Sequence, residues 1–150
     1  MKLRSIILVL ACAIVFAGCS SSTHAPESLA GTYGVSDPKT GQVTPFIKIE
    51  AGDKGQGYVL YEYRKGEWKR PKKAWSESPT DEPVKPFEKT DLEKLVHHAV
   101  SVDVSGVQVP SFALVHVPAG WSDAGGSHAF KTSSGFFALT LLGPVELVRM

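Results

Sequence analysis

The chain has 150 residues, enough for one compact domain and too few for two ordinary ones. Its 16 basic and 15 acidic residues nearly balance, so nothing global marks a nucleic-acid binder, and no nucleic acid is expected as a partner. The only cysteines, Cys12 and Cys19, fall among the first nineteen residues. Everything after them is therefore without a disulfide, a thiolate metal site or a cysteine nucleophile.

Lys2 and Arg4 put two positive charges ahead of Ser5 to Gly18, a run of fourteen uncharged residues rich in Ile, Leu, Val and Ala. As a helix that run measures roughly 21 Å at 1.5 Å per residue. A bilayer core needs roughly 30 Å, so the stretch is short for a stable span and suits a cleavable signal sequence. Phe16-Ala17-Gly18-Cys19 resembles the lipobox of bacterial lipoproteins, with Phe16 where that family prefers Leu. The resemblance implies cleavage before Cys19 and a diacylglycerol on its thiol. Cys12 is a competing position, but cutting there would leave only seven uncharged residues ahead of it and an apolar Ala-Ile-Val-Phe segment behind. Residues 1–18 are expected to be the signal peptide, 19–28 the lipidated cysteine with a Ser-rich tether, and 29–150 one domain. Ser20 is not the Asp that retains family members in the inner membrane, which implies, for a cell with two membranes, an outer-membrane anchor facing the periplasm. Without the leader, 14 basic residues face 15 acidic ones, a net charge of −1.

After the tether the pattern is mostly strand-like. Leu29 to Val35 is short and apolar, Asp37 to Gly41 is turn chemistry, and Phe46 to Glu50 alternates with Ile47 and Ile49 on one face. Tyr58 to Arg64 is rich in Tyr, Val and Leu, and Lys65-Gly66 is placed to close a hairpin onto Glu67 to Lys69. Pro71 to Lys89 holds four prolines and lacks periodicity, so a long loop is expected, pinned by Trp75 and Phe87. Thr90-Asp91-Leu92-Glu93 fits a capping box opening a helix to about Ala99, with Leu92, Leu95 and Val96 on one face. Val100, Val102 and Val104 then alternate with polar residues as a half-buried strand turned by Gly106. Gln108 to Val117 is apolar on both faces, broken by Pro110, and reads as central after the proline. Loops at Pro118 to Gly120 and Ser122 to Ser127 precede strands at Ala129 to Lys131, Gly135 to Leu142 and Val145 to Val148, with turns at Ser133 to Gly135 and Gly143-Pro144. The expected fold is mainly β: a single small antiparallel barrel or sandwich of about eight strands with one short α-helix.

Motifs for chemistry are sparse. His97 and His98 are adjacent, so on a helix they point about 100° apart and do not share a metal easily. His24, His116 and His128 are scattered, and no H-E-x-x-H is present. Gly120-Trp121-Ser122-Asp123-Ala124 lacks the last Gly of G-x-S-x-G and has no helix after it. Gly52, Gly55 and Gly57 precede a strand, whereas a phosphate loop precedes a helix. No catalytic residue, metal or cofactor is expected.

The distinctive composition is Arg64 to Lys73, with six basic residues against Glu67 alone, beside Tyr61, Tyr63, Trp68 and Trp75. Residues 74–150 hold five basic and nine acidic side chains. A basic edge next to aromatics suits an acidic protein surface, anionic headgroups or acidic glycans. The plainer reading is a solvated edge hairpin whose lysines discourage strand pairing. Arg64, Lys65, Trp68, Lys69, Arg70, Trp75 and Trp121 are the candidate partner-binding residues. The layout of lipobox, short tether and small cysteine-free β domain resembles periplasmic inhibitor and immunity lipoproteins. That implies a non-enzymatic protein that blocks an envelope-targeting hydrolase by steric occlusion, through a sheet edge or the Pro71 to Lys89 and Gly120 to Ser127 loops. The alternatives are a lipid or small-ligand carrier, given that Gly31-Thr32-Tyr33 loosely resembles the lipocalin Gly-x-Trp, and a structural envelope lipoprotein.

Overall fold

The computed structural model describes residues 28–53, 57–73, 78–80, 82–125 and 129–150. The leader, Cys12, Cys19 and the tether through Glu27 lie outside them. The fold is mainly β, as expected, and is built on one antiparallel sheet curled into a half-barrel. In chain order the strands are β1 (Gly31–Ser36), β2 (Val43–Ala51), β3 (Tyr58–Arg64), β4 (Glu67–Lys69) and β5 (Lys85–Glu88), followed by helix α1 (Lys89–Val96). Then come β6 (Ser105–Val109), β7 (Phe112–His116), β8 (Ser122–Asp123), β9 (Phe130–Lys131), β10 (Phe136–Thr140) and β11 (Gly143–Arg149). The main sheet has the order β4-β3-β2-β1-β11-β10-β7-β6-β5, and β8 pairs with β9 beside it. Two hairpin arms are thus joined where the first strand meets the last, through Tyr33↔Arg149 and Gly34↔Val148.

The face shared by strands β1 to β3, β6, β7, β10 and β11, which we call inner, carries Tyr33, Ile47, Ile49, Leu60, Leu114, Phe136 and Leu147 as one buried cluster. On the opposite, outer face Ala113, Val115, Val117 and Phe137 pack under Phe87, Leu92 and Val100. Residues β7 and β10 are therefore covered on both sides, which explains the unbroken apolar run read as central in the sequence. Gly106 in β6 is buried where a Cβ would run into the Leu114 carbonyl, so a glycine lets β6 and β7 lie flat together.

The structure departs from several expectations. Val100 to Val104 is not a strand: the segment is irregular, and its valines serve the outer cluster without a ladder partner. Gln108 to Val117 does divide at the proline as expected: Pro110-Ser111 turn the β6–β7 hairpin, and β7 after them is central, between β10 and β6. Proline there is tolerated because a turn needs no ladder N–H from it. The Pro71 to Lys89 segment is not all loop. Lys72 bridges Pro79, the Thr80 N–H donates to the Pro71 carbonyl at 2.7 Å, and Lys85–Glu88 forms β5 with Phe87 buried. The helix starts earlier and ends earlier than expected. The Asp91 carboxylate accepts from the Glu88 N–H at 3.0 Å, making Glu88 the N-cap in place of Thr90, and His97 closes the helix at φ 60°. Glu93, freed from the expected cap, accepts from the Val100 N–H at 3.0 Å and ties down the exit from α1. The expected Gly143-Pro144 turn also shifts: Leu141 and Leu142 form the turn, and Gly143-Pro144 open β11.

Candidate functional site

The β3–β4 hairpin is the far end of one arm, and β4 is an edge strand. Lys65 at φ 53° and Gly66 at φ 83° both lie in the left-handed region, the signature of the two-residue type I′ turn that matches strand twist. That turn fixes the register Glu62↔Lys69, Tyr63↔Trp68 and Arg64↔Glu67. Because side chains alternate along a strand, Glu62, Arg64, Glu67 and Lys69 fall on one face and Tyr61, Tyr63 and Trp68 on the other.

The charged face opens into a cleft of about 460 Å³ lined by Arg64, Lys65, Lys69, Arg70, Lys72 and Pro79. Five of its six lining residues are cationic, so the cleft is suited to anions. Arg64 is fixed in place. One terminal nitrogen donates to the Arg70 carbonyl at 2.7 Å, and Nε stands 3.2 Å from a Glu62 carboxylate oxygen. Burial raises the Glu62 pKa, against the pull of Arg64 and Lys72. Lys69 lies 2.9 Å from Glu67, and that contact holds the exposed Glu67 carboxyl below its ordinary value.

The aromatic face is a cation–π cluster. Lys48 Nζ sits 4.8 Å from the Tyr61 ring centroid and 5.5 Å from that of Trp68, while pairing with Glu50 at 2.8 Å. The Arg70 guanidinium lies 6.0 Å from the Tyr61 ring, and Tyr63 and Trp68 stand 5.0 Å apart. Arg70 thus belongs to both faces, lining the cleft and covering Tyr61.

The structure brings Arg64, Lys65, Lys69 and Arg70 together and sets Trp68 behind them on the opposite face of the hairpin. It adds Lys48, Lys72 and Pro79, of which Lys48 escaped the sequence reading because it comes from β2, opposite Tyr61 across the ladder. Trp121 is not part of this group. It lies on the outer face of the other arm, its ring 6.0 Å from Phe137 at an interplanar angle of 11°. Trp75 and Cys19 lie outside the described residues, as do His24 and His128.

A second polar feature was not anticipated. His98, just past α1, places Nε2 2.7 Å from Asp123 Oδ1 and Nδ1 3.0 Å from the Ala99 carbonyl. Both partners can accept, an arrangement that favours the protonated ring, in which each nitrogen donates. The Ala99 carbonyl, then Asp123, raise the His98 pKa; the Gly125 N–H, donating to Asp123 at 3.0 Å, and His98 itself lower that of Asp123. With both nitrogens engaged, His98 braces β8 against the end of α1. Among the described residues no group of three or more His, Cys, Asp or Glu side chains could hold a metal.

Comparison with known proteins adds no relative: no family model matches the chain, and neither a curated protein nor a solved structure matches it.

Proposed function

We propose that this chain is a lipid-anchored binding protein of the bacterial envelope, held at the outer membrane through an acylated Cys19. In this reading it inhibits an envelope-directed hydrolase by seating the β3–β4 edge against an acidic rim of the enzyme's cleft. It acts by occupying space and needs no cofactor. The observation that carries the reading is the convergence of Arg64, Lys65, Lys69, Arg70 and Lys72 on one cleft, within a domain whose remaining sequence leans acidic. Complementary charge steers the partners together and sets register, while an aromatic such as Trp68, backed by Tyr63, offers the kind of anchor that resists release.

The test is to capture the partner from envelope extract on the acylated protein, identify it, and measure inhibition of its hydrolytic activity. Lys69→Glu with Arg70→Glu is expected to slow association about tenfold at low salt and less at high salt, because the Debye length is roughly 8 Å at physiological ionic strength. The melting temperature should hardly move, since exposed charge changes usually alter stability by about 0.5 kcal/mol or less. Unchanged association in the folded variant sinks the proposal that this edge binds.

A further inference from the structure

A second cleft, larger than the basic one, is on the other arm, between α1 and the turn of the β10–β11 hairpin, with a volume of about 740 Å³. Its floor is Leu92 and Phe137, both buried, with Trp121, Phe130 and Leu139 half-buried around them. At its rim Leu95 is 56% exposed, Leu141 64% and Leu142 101%. These are three of the four large apolar side chains exposed among the described residues, Met150 being the other. Exposed apolar side chains gathered at one opening, above an aromatic floor, mark a place where something apolar is bound.

The polar groups on the wall narrow the choice. His98 spends both nitrogens on Ala99 and Asp123, and Asp123 also takes the Gly125 N–H. The Thr140 hydroxyl donates to the Gly143 carbonyl at 2.9 Å and accepts from the Leu142 N–H at 3.2 Å. An extended peptide would bring an N–H and a C=O with every residue, each needing a partner that these groups cannot supply. A saturated chain needs none. We propose that this cleft holds the hydrocarbon chain of a single-chain amphiphile of the fatty-acid type. The chain lies on Phe137 and Trp121, passes out between Leu95 and Leu142, and leaves its headgroup at the mouth beside His97.

The strand register argues for a free amphiphile over the bilayer itself. β11 runs from Gly143 at this turn to Arg149, whose guanidinium bonds the Ala30 carbonyl where the chain enters the domain. Seven strand residues at about 3.4 Å each put the cleft some 20 Å from that point, at the end of the sheet away from Ala30. This inference uses a different face from the basic edge and stands whether or not that edge binds an inhibited enzyme.

The experiment uses the full chain in phosphatidylcholine vesicles and two photoreactive probes, a diazirine-bearing palmitic acid and a diazirine-bearing phosphatidylcholine, with the labelled peptides mapped by mass spectrometry. The palmitic acid probe is expected to label 92–98 and 139–144, and excess unlabelled palmitate should cut that labelling at least tenfold. Leu139→Trp, which fills the cleft, and Leu141→Asp with Leu142→Asp at the exposed rim should each do the same, with folding checked by melting. Met150→Asp should leave the labelling unchanged. Labelling at 139–144 that is insensitive to competitor or to both cleft variants overturns the proposal. So does labelling of the Leu141-Leu142 turn by the phosphatidylcholine probe to an equal extent, which would make the turn a bilayer contact.

Discussion

His98 shows how one side chain couples structure to pH. Its folded pKa is raised by the Ala99 carbonyl and Asp123, so its contribution is whole below the unfolded value, about 6.5. The contribution is lost as pH rises through the folded value. Asp123 has the opposite sign: its lowered pKa contributes above the ordinary carboxylate range and fails in acid. Thermal melts from pH 5 to 9 should therefore show the wild-type midpoint falling as pH rises past about 6.5, with that fall flattened in His98→Gln. A variant that retains the whole slope would remove His98 as its source. Sequence could not supply this pair. The partners are 25 residues apart, and the irregular segment after α1 has no period by which to align His98 with β8. By contrast, the basic residues of the cleft were legible because Arg64 to Lys72 are nearly consecutive, around one hairpin turn whose chemistry is local.

For the hairpin as an element, the turn is where local preference and geometry disagree. Gly66 takes a positive φ at no steric cost, but Lys65 at φ 53° pays for a Cβ in the left-handed region, roughly 1 kcal/mol. Asn tolerates that region and Asn-Gly is the favoured type I′ pair, so Lys65→Asn should raise stability by about 0.5 kcal/mol or more in urea denaturation. The gain should come with one charge fewer at the cleft. β3 itself was read from Tyr58 to Arg64, the span it occupies, because three Tyr with Val and Leu favour a strand and Lys65-Gly66 ends it. Alternation failed for Val100 to Val104. Alternating valines show only that every second side chain meets apolar surface, and an extended segment lying over the outer cluster satisfies that without hydrogen-bonding to a neighbour. Helix α1 was misplaced because Glu88-x-x-Asp91 and Thr90-x-x-Glu93 are overlapping caps two residues apart. Pairing of Glu88 with Ser105 in β5 decides between them, and that is a tertiary fact.

At the scale of the whole molecule, the address and the domain are separate questions. Cys19→Ala is expected to abolish acylation and signal removal while Cys12→Ala leaves both intact, as read by mass spectrometry of the mature N-terminus. Acyl mass on Cys12 would contradict it. The expectation of a leader rests on charge, apolar length and cleavage residues that are all local. The half-barrel was legible only as a mainly β domain, since alternation names strands but not their neighbours. Nothing in the sequence says that β1 lies between β2 and β11. That pairing bears on when the fold can form. A chain delivered across a membrane from its N-terminus releases β1 to β4 first, as a hairpin arm with one side of β1 bare. Only when β11 emerges, more than a hundred residues later, can the two arms be stitched together. Contacts so distant in sequence make folding slow, and until then the open edge of β1 is exposed to any other strand. An exported chain of this topology therefore passes through an interval, set by its own translocation, in which it depends on being kept apart from its neighbours.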